Sequence, residues 1–380
     1  MTETPFDIFS ISGLETAVEA FKYNFTEHDE LGAQFCLMRD GETLLDLKGG
    51  WVDRRKTEPV KDNTLFGVYS SGKAIAALII AYLAEEDRLG YDQIAATLWN
   101  EFDQQGKGDL TIAQLLSHQA GLSGITDPSW TPMDWLNWEK TIETLAAQKP
   151  LFEPGSTSGY HPLTYGFLAG EIARLADKDQ RILGRILRDE FSQPFEADVW
   201  IGLPKEEHDR CAQMIKPKAM ADLGELNGAS KAAFMKPWSS TGGMGLAAWR
   251  EAQLAGSNCH ATAKGLAILM QIAVSGRCGE TSVLSEDTLA AFHQPRISGQ
   301  DLVLPFEITF AAGVMKNDPN YFYGPTPSAV GHSGWGGSCV FADPETGLHG
   351  AYVMNRQHNT LLGDVRPRHI IDAAYQGLGI

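Results

Sequence analysis

A chain of 380 residues with 43% hydrophobic and 21% charged residues can bury a large core and stands apart from disordered and fibrous sequences. Its formal net charge of -17 repels polyanions, which argues against nucleic acid and anionic membranes as partners. The longest strongly apolar run, residues 74–84, is too short to cross a bilayer, and the first residues lack the basic-then-apolar pattern of a secretory signal, so a cytoplasmic location is expected.

In chain order, residues 32–52 hold two apolar stretches separated by Asp40-Gly41, a dipeptide that closes β-hairpins, and an antiparallel sheet is expected to begin there. Residues 64–90 read as a strand end, a turn and a helix with Ile75, Leu78, Ile79, Tyr82 and Leu83 on its buried stripe. Apolar spacing near 3.6 predicts further helices in 111–119, 141–148 and 163–176. Residues 194–257 are irregular and rich in Pro, Gly, Lys and Trp, and a helix is expected over 261–274. Beyond Asp301 the segments 308–315, 338–343 and 349–355 are strand-like, and 365–379 closes as a helix. Strand-rich ends around a helical middle imply one sheet built from both termini. Cys36, Cys211, Cys259, Cys278 and Cys339 are scattered and read as apolar fillers, no tight cluster of His and carboxylates occurs, and neither metal nor cofactor is expected.

The chemistry concentrates at Ser70-Ser71-Gly72-Lys73. Serine at i and lysine at i+3 share a helical face, and a helix N-terminus offers exposed N–H groups and a positive dipole end where an oxyanion can form. An alcohol needs an adjacent base near neutral pH, and a lysine supplies one when burial depresses its pKa. This is the S-x-x-K arrangement of β-lactamases and penicillin-binding proteins, although an N-cap serine followed by a solvent-facing lysine would look the same. Residues 67–73 also satisfy G-x-x-x-x-G-K, but Ala74 stands where a phosphate-binding loop needs Ser or Thr for Mg²⁺. The G-x-S-x-G elbow of α/β-hydrolases does not occur.

Four segments carry more than the motif alone: LFGVYSSGKAI around Ser70, LTIAQLLSHQAGLSG at 110–124, FEPGSTSGYHPLTYGFLAGEIARL at 152–175, and VGHSGWGGSCVFADPETGLHGAYVMNR at 330–356. Their order and spacing resemble the serine β-lactamase and penicillin-binding-protein-like superfamily, in particular its class C-like family VIII carboxylesterases. The resemblance implies an α/β lobe from residues 1–68 and 300–380, with an antiparallel sheet flanked by terminal helices, beside a mainly helical lobe from 69–299. The active site would lie in the cleft between them.

By the same resemblance Ser70 is the nucleophile, Lys73 its base and Tyr160, in Tyr160-His161-Pro162, the partner base. His332-Ser333-Gly334 takes the place of the lactamase K-[ST]-G triplet, so that His332, Gly334 and Trp335 would bind substrate. The oxyanion hole would be the backbone N–H groups of Ser70 and Trp335. Pro162 in place of the lactamase asparagine and histidine in place of lysine point towards ester cleavage. His118 reads as a structural histidine, Glu153 and Asp343 as turn or cap residues. Trp130, Trp135, Trp138, Trp200 and Trp238 serve either an acyl pocket or core packing. The implied activity is hydrolysis of small carboxylic esters with short acyl chains through an acyl-enzyme on Ser70, without a cofactor. β-Lactamase, D-amino-acid peptidase or amidase, and acyltransferase activities remain open on the same fold. A non-catalytic penicillin-recognising protein is the reading from another class.

Overall fold

Phe35 and Leu37 of one strand belong to one apolar core and Cys36 and Met38 to another, the two-residue alternation of a strand buried on both faces. That strand, Gly32–Arg39, sits inside a nine-stranded antiparallel sheet of a computed structural model describing residues 3–219 and 221–380. From one edge the order is Phe6–Ser10, Glu42–Gly50, Gly32–Arg39, Leu348–Met354, Cys339–Ala342, Val330–Ser333, Met315–Lys316, Glu307–Phe310 and Ile297–Gln300. The sheet thus joins the two ends of the chain, as expected. Asp40 and Gly41 close the first hairpin with φ of +51° and +81°, the paired left-handed conformations that a two-residue turn requires.

Helices Glu15–Glu27 and Val365–Leu378 pack together on one face of the sheet, and helix Ala263–Ser275 packs on the other against Leu348–Met354 and Gly32–Arg39. The fold is therefore the expected α/β arrangement of a large antiparallel sheet with terminal helices. Residues 308–315 form a hairpin rather than one strand: Glu307–Phe310 and Met315–Lys316 pair through Phe310 and Met315, with Gly313 at φ +95° in the turn. The edge strand Phe6–Ser10, mostly exposed, shows no apolar alternation that would have revealed it.

Helix Gly72–Glu85 is buried almost all round rather than along one stripe. It has neighbours on several sides, packing on helices Thr164–Ala176 and Ala263–Ser275 and touching strand Val330–Ser333. A helix so enclosed has no solvated face, which is why its sequence is so uniformly apolar. Residues 194–257 carry only short elements, among them Gly228–Phe234 and Leu246–Glu251. Among the described residues, no helix is long and apolar enough to cross a membrane.

Candidate active site

Ser70 stands on a single 3-10 turn, Tyr69–Ser71, that runs into helix Gly72–Glu85. The preceding strand Phe66–Gly67 pairs with His260–Ala261, and Val68 N–H donates to Cys259 O at 2.8 Å, so the turn is pinned to the loop before residue 260. Tyr69 adopts a φ of +48°, a left-handed conformation costly for a residue with a Cβ, which the surrounding packing holds in place. Gly72 is required for space: a Cβ there would fall 2.4 Å from that of Cys259.

Lys73 is fully buried. Its Nζ lies 2.9 Å from Ser70 Oγ, 2.9 Å from Pro162 O and 2.8 Å from Gly256 O. Among the described residues no carboxylate pairs with it, and burial alone drives its pKa well below the ordinary lysine value. The neutral amine has two N–H groups and one lone pair. Both carbonyls can only accept, so once the amine is neutral its two N–H groups can serve Pro162 and Gly256 and its lone pair can turn to the Ser70 hydroxyl, which also has Gly256 O at 3.3 Å. A solvent-facing lysine behind an N-cap serine is thereby ruled out.

The Tyr160 ring lies beneath Lys73, with Nζ 5.0 Å from its centroid, so the amine meets the ring face rather than hydrogen-bonding the phenol oxygen. Burial pushes the Tyr160 hydroxyl upward, an effect that its neighbour Ser70 opposes. Tyr160 N–H donates to Asp301 Oδ1 at 3.0 Å, and the same oxygen accepts from Val303 and Leu304 N–H at 2.8 Å each. His118 is structural, as expected: Nδ1 accepts from His161 N–H at 3.2 Å, its carbonyl accepts from Gly159 N–H at 3.0 Å, and burial lowers its pKa well below the usual value.

Strand Val330–Ser333 and the residues that follow approach the same turn. Ser333 and Trp335 line the cleft together with Tyr160, and His332, expected at the substrate, stands beside that tyrosine. The His332 ring is buried 6.0 Å from that of Tyr160, donates through Nδ1 to Ser333 O at 2.9 Å, and is held neutral with a pKa lowered to about 3 by burial. Gly334 instead permits contact between strand and turn, because a Cβ on it would fall 2.2 Å from Val68 O. The N–H groups of Ser70 and Trp335 have no hydrogen-bond partner among the described residues.

The beta-lactamase family model matches residues 14–375. The chain belongs to that family. It is 30% identical over 356 residues, 89% of this chain and 80% of the relative, to the esterase/beta-lactamase LipL of Mycobacterium tuberculosis. Among solved structures it resembles a penicillin-binding protein homologue from Caulobacter crescentus, at 48% identity and a TM-score of 0.94, covering 98% of this chain and 100% of that one. It also resembles a family VIII carboxylesterase, at 34% identity and a TM-score of 0.91 with the same coverage. Membership assigns the chain to the serine hydrolases of this fold.

In this beta-lactamase family member the cleft over Ser70 encloses about 210 Å³. Its walls are Leu163, Leu223, Phe234, Leu304, Leu361 and Leu362, with Ser239, Ser240, Thr241 and Ser257 at polar positions. Trp130, Trp135, Trp138, Trp200 and Trp238 do not line it. Trp135 and Trp238 are core residues whose Nε1 groups donate to Trp238 O and Ile125 O at 2.8 and 3.1 Å. The sequence reading also missed Gly256, whose carbonyl holds Lys73. Its loop is fixed by Asn258, fully buried, which donates through Nδ2 to Trp249 O at 2.7 Å and accepts from Leu254 N–H at 3.2 Å. A backbone carbonyl leaves no signature in sequence.

Proposed function

We propose that this chain is a carboxylesterase that forms an acyl-enzyme on Ser70. The observation that carries the reading is the buried Lys73 amine, held by the carbonyls of Pro162 and Gly256 with its Nζ 2.9 Å from Ser70 Oγ and no carboxylate beside it among the described residues. Ser70 loses its proton to Lys73 as its oxygen attacks the ester carbonyl. The developing oxyanion is received by the N–H groups of Ser70 and Trp335, each worth on the order of 3 kcal/mol in a preorganised site. The proton then leaves with the alkoxide, delivered from Lys73 with the Tyr160 phenol as the relay beside it. Water repeats the sequence on the acyl-enzyme and releases the acid.

Two features support an uncharged ester as substrate. The cleft is walled by leucines and a phenylalanine, and among the described residues no Lys, Arg or His lines it to receive a carboxylate. The family VIII carboxylesterase neighbour and the esterase/beta-lactamase LipL agree with that class. LipL is named for a lactamase as well as an esterase, so the test pairs both substrates.

Treatment with a fluorophosphonate, followed by peptide mass spectrometry, is expected to place one adduct on Ser70, and p-nitrophenyl butyrate is expected to turn over much faster than nitrocefin. An adduct elsewhere would remove the nucleophile assignment, and faster nitrocefin cleavage would make the chain a β-lactamase. Tyr160→Phe is expected to lower kcat by about 10²- to 10³-fold, in the range of a lost proton-transfer group, with little change in Tm. A loss below about fivefold would leave Lys73 to move the proton unaided.

A further inference from the structure

The two carbonyls that follow the proposed Trp335 donor are both held by buried side chains. Trp335 O accepts from Gln357 Nε2 at 3.0 Å, and Gly336 O accepts from Arg366 Nη2 at 2.6 Å. Arg366 is itself anchored, donating through Nη1 to Glu30 at 2.6 Å and through Nε to Asp364 at 3.0 Å. Gln357 lies so close to the Trp335 loop that a Cβ on Gly336 would fall 2.4 Å from its own.

The same glutamine reaches the other half of the site. Its side chain neighbours the Tyr69 phenol, where it opposes the upward push of burial, and its Oε1, buried, has no hydrogen-bond partner among the described residues. Tyr69 immediately precedes the nucleophile, and its ring packs edge-on against Trp335 at 5.6 Å. With the Trp335 carbonyl fixed, only the φ and ψ of that residue lie between the glutamine and the N–H that would meet the oxyanion.

We propose that Gln357 is a positioning residue that holds the Trp335 backbone against the Tyr69–Ser70 turn and so fixes the spacing of the two oxyanion-hole donors; this rests on the acyl-enzyme reading above. A donor that is correctly spaced only for the tetrahedral oxygen acts on the transition state and leaves ground-state binding alone. The defect therefore falls on kcat.

Gln357→Met keeps the length of the side chain and removes the donor, and Gln357→Glu keeps its shape and sets an acceptor against the Trp335 carbonyl. Each is expected to lower kcat for p-nitrophenyl butyrate by about 10- to 100-fold, below the 10²- to 10³-fold of a deleted oxyanion donor, with KM within about threefold. The rate of fluorophosphonate labelling should fall in parallel while Tm holds. An unchanged kcat in a folded variant, or a KM rise and a Tm loss without a kcat-specific defect, would overturn the proposal. Should Gln357→Met fail to fold, Gln357→Glu decides it. Failure of the underlying reading looks different, since wild-type protein would then carry no label on Ser70.

Discussion

Ser70→Ala and Lys73→Met, made singly, are each expected to lower kcat for p-nitrophenyl butyrate by on the order of 10⁴, and the double variant by no more, because nucleophile and base act as one unit. The geometry explains the coupling. Lys73 Nζ and Ser70 Oγ are 2.9 Å apart, and the remaining contacts of Nζ are carbonyls that cannot take a proton. Burial without a carboxylate lowers the Lys73 pKa, so kcat/KM should rise with pH through that lowered value, and residual activity of Lys73→Met should lack this acid limb. The same shift marks stability. Between the lowered folded pKa and the ordinary 10.5, the unfolded chain binds more protons than the folded one, so wild type gains stability as pH rises through that window. Lys73→Met loses this dependence, and the Tm of wild type relative to the variant is expected to climb from neutral pH towards 10. A flat difference would mean that Lys73 keeps its proton in the folded state. Additive losses in the double variant would mean that serine and lysine act separately.

What was legible in the sequence and what was not divides on whether side chains or backbone carry the information. Asp40-Gly41 announced its hairpin because two consecutive left-handed residues restrict the choice of amino acid. Ser70 and Lys73 were legible because three residues of helix bring them together whatever the rest of the chain does. His332 was assigned to the substrate from its place in a motif, and its ring does stand beside Tyr160 of the cleft wall, but motif spacing did not reveal that Ser333 also lines the cleft. The tryptophans 130, 135, 138, 200 and 238 were open between cleft and core, since an indole suits either and only tertiary packing chooses. Gly256, Asn258 and Gln357 stayed silent because each acts through backbone carbonyls, from loops whose paths are fixed by contacts far away in sequence.

Gly334→Ala is expected to lower kcat by on the order of 10²-fold, although it adds only one methyl group and touches no catalytic side chain. The added Cβ would fall 2.2 Å from both Val68 O and Ser338 Oγ and 3.1 Å from Ser71 Oγ. These atoms already stitch the strand to the nucleophile turn, with Ser338 Oγ donating to Val68 O at 2.8 Å and meeting Ser71 Oγ at 3.1 Å. Ordinary contact begins at 3.4 Å, so the strand must retreat by about 1 Å, and it carries Trp335 away from Ser70. A misplacement of about 1 Å costs on the order of 10²-fold in rate, and overpacking of this kind about 1–3 kcal/mol in stability. Ser338→Ala makes the control, because it removes the stitching hydroxyl without wedging the strand, and it should cost less in kcat than the glycine variant. If Gly334→Ala kept kcat within about threefold of wild type in a folded protein, the spacing between the Val68–Ser71 turn and Trp335 would not govern the reaction. The oxyanion donor opposite Ser70 would then have to come from elsewhere than Trp335.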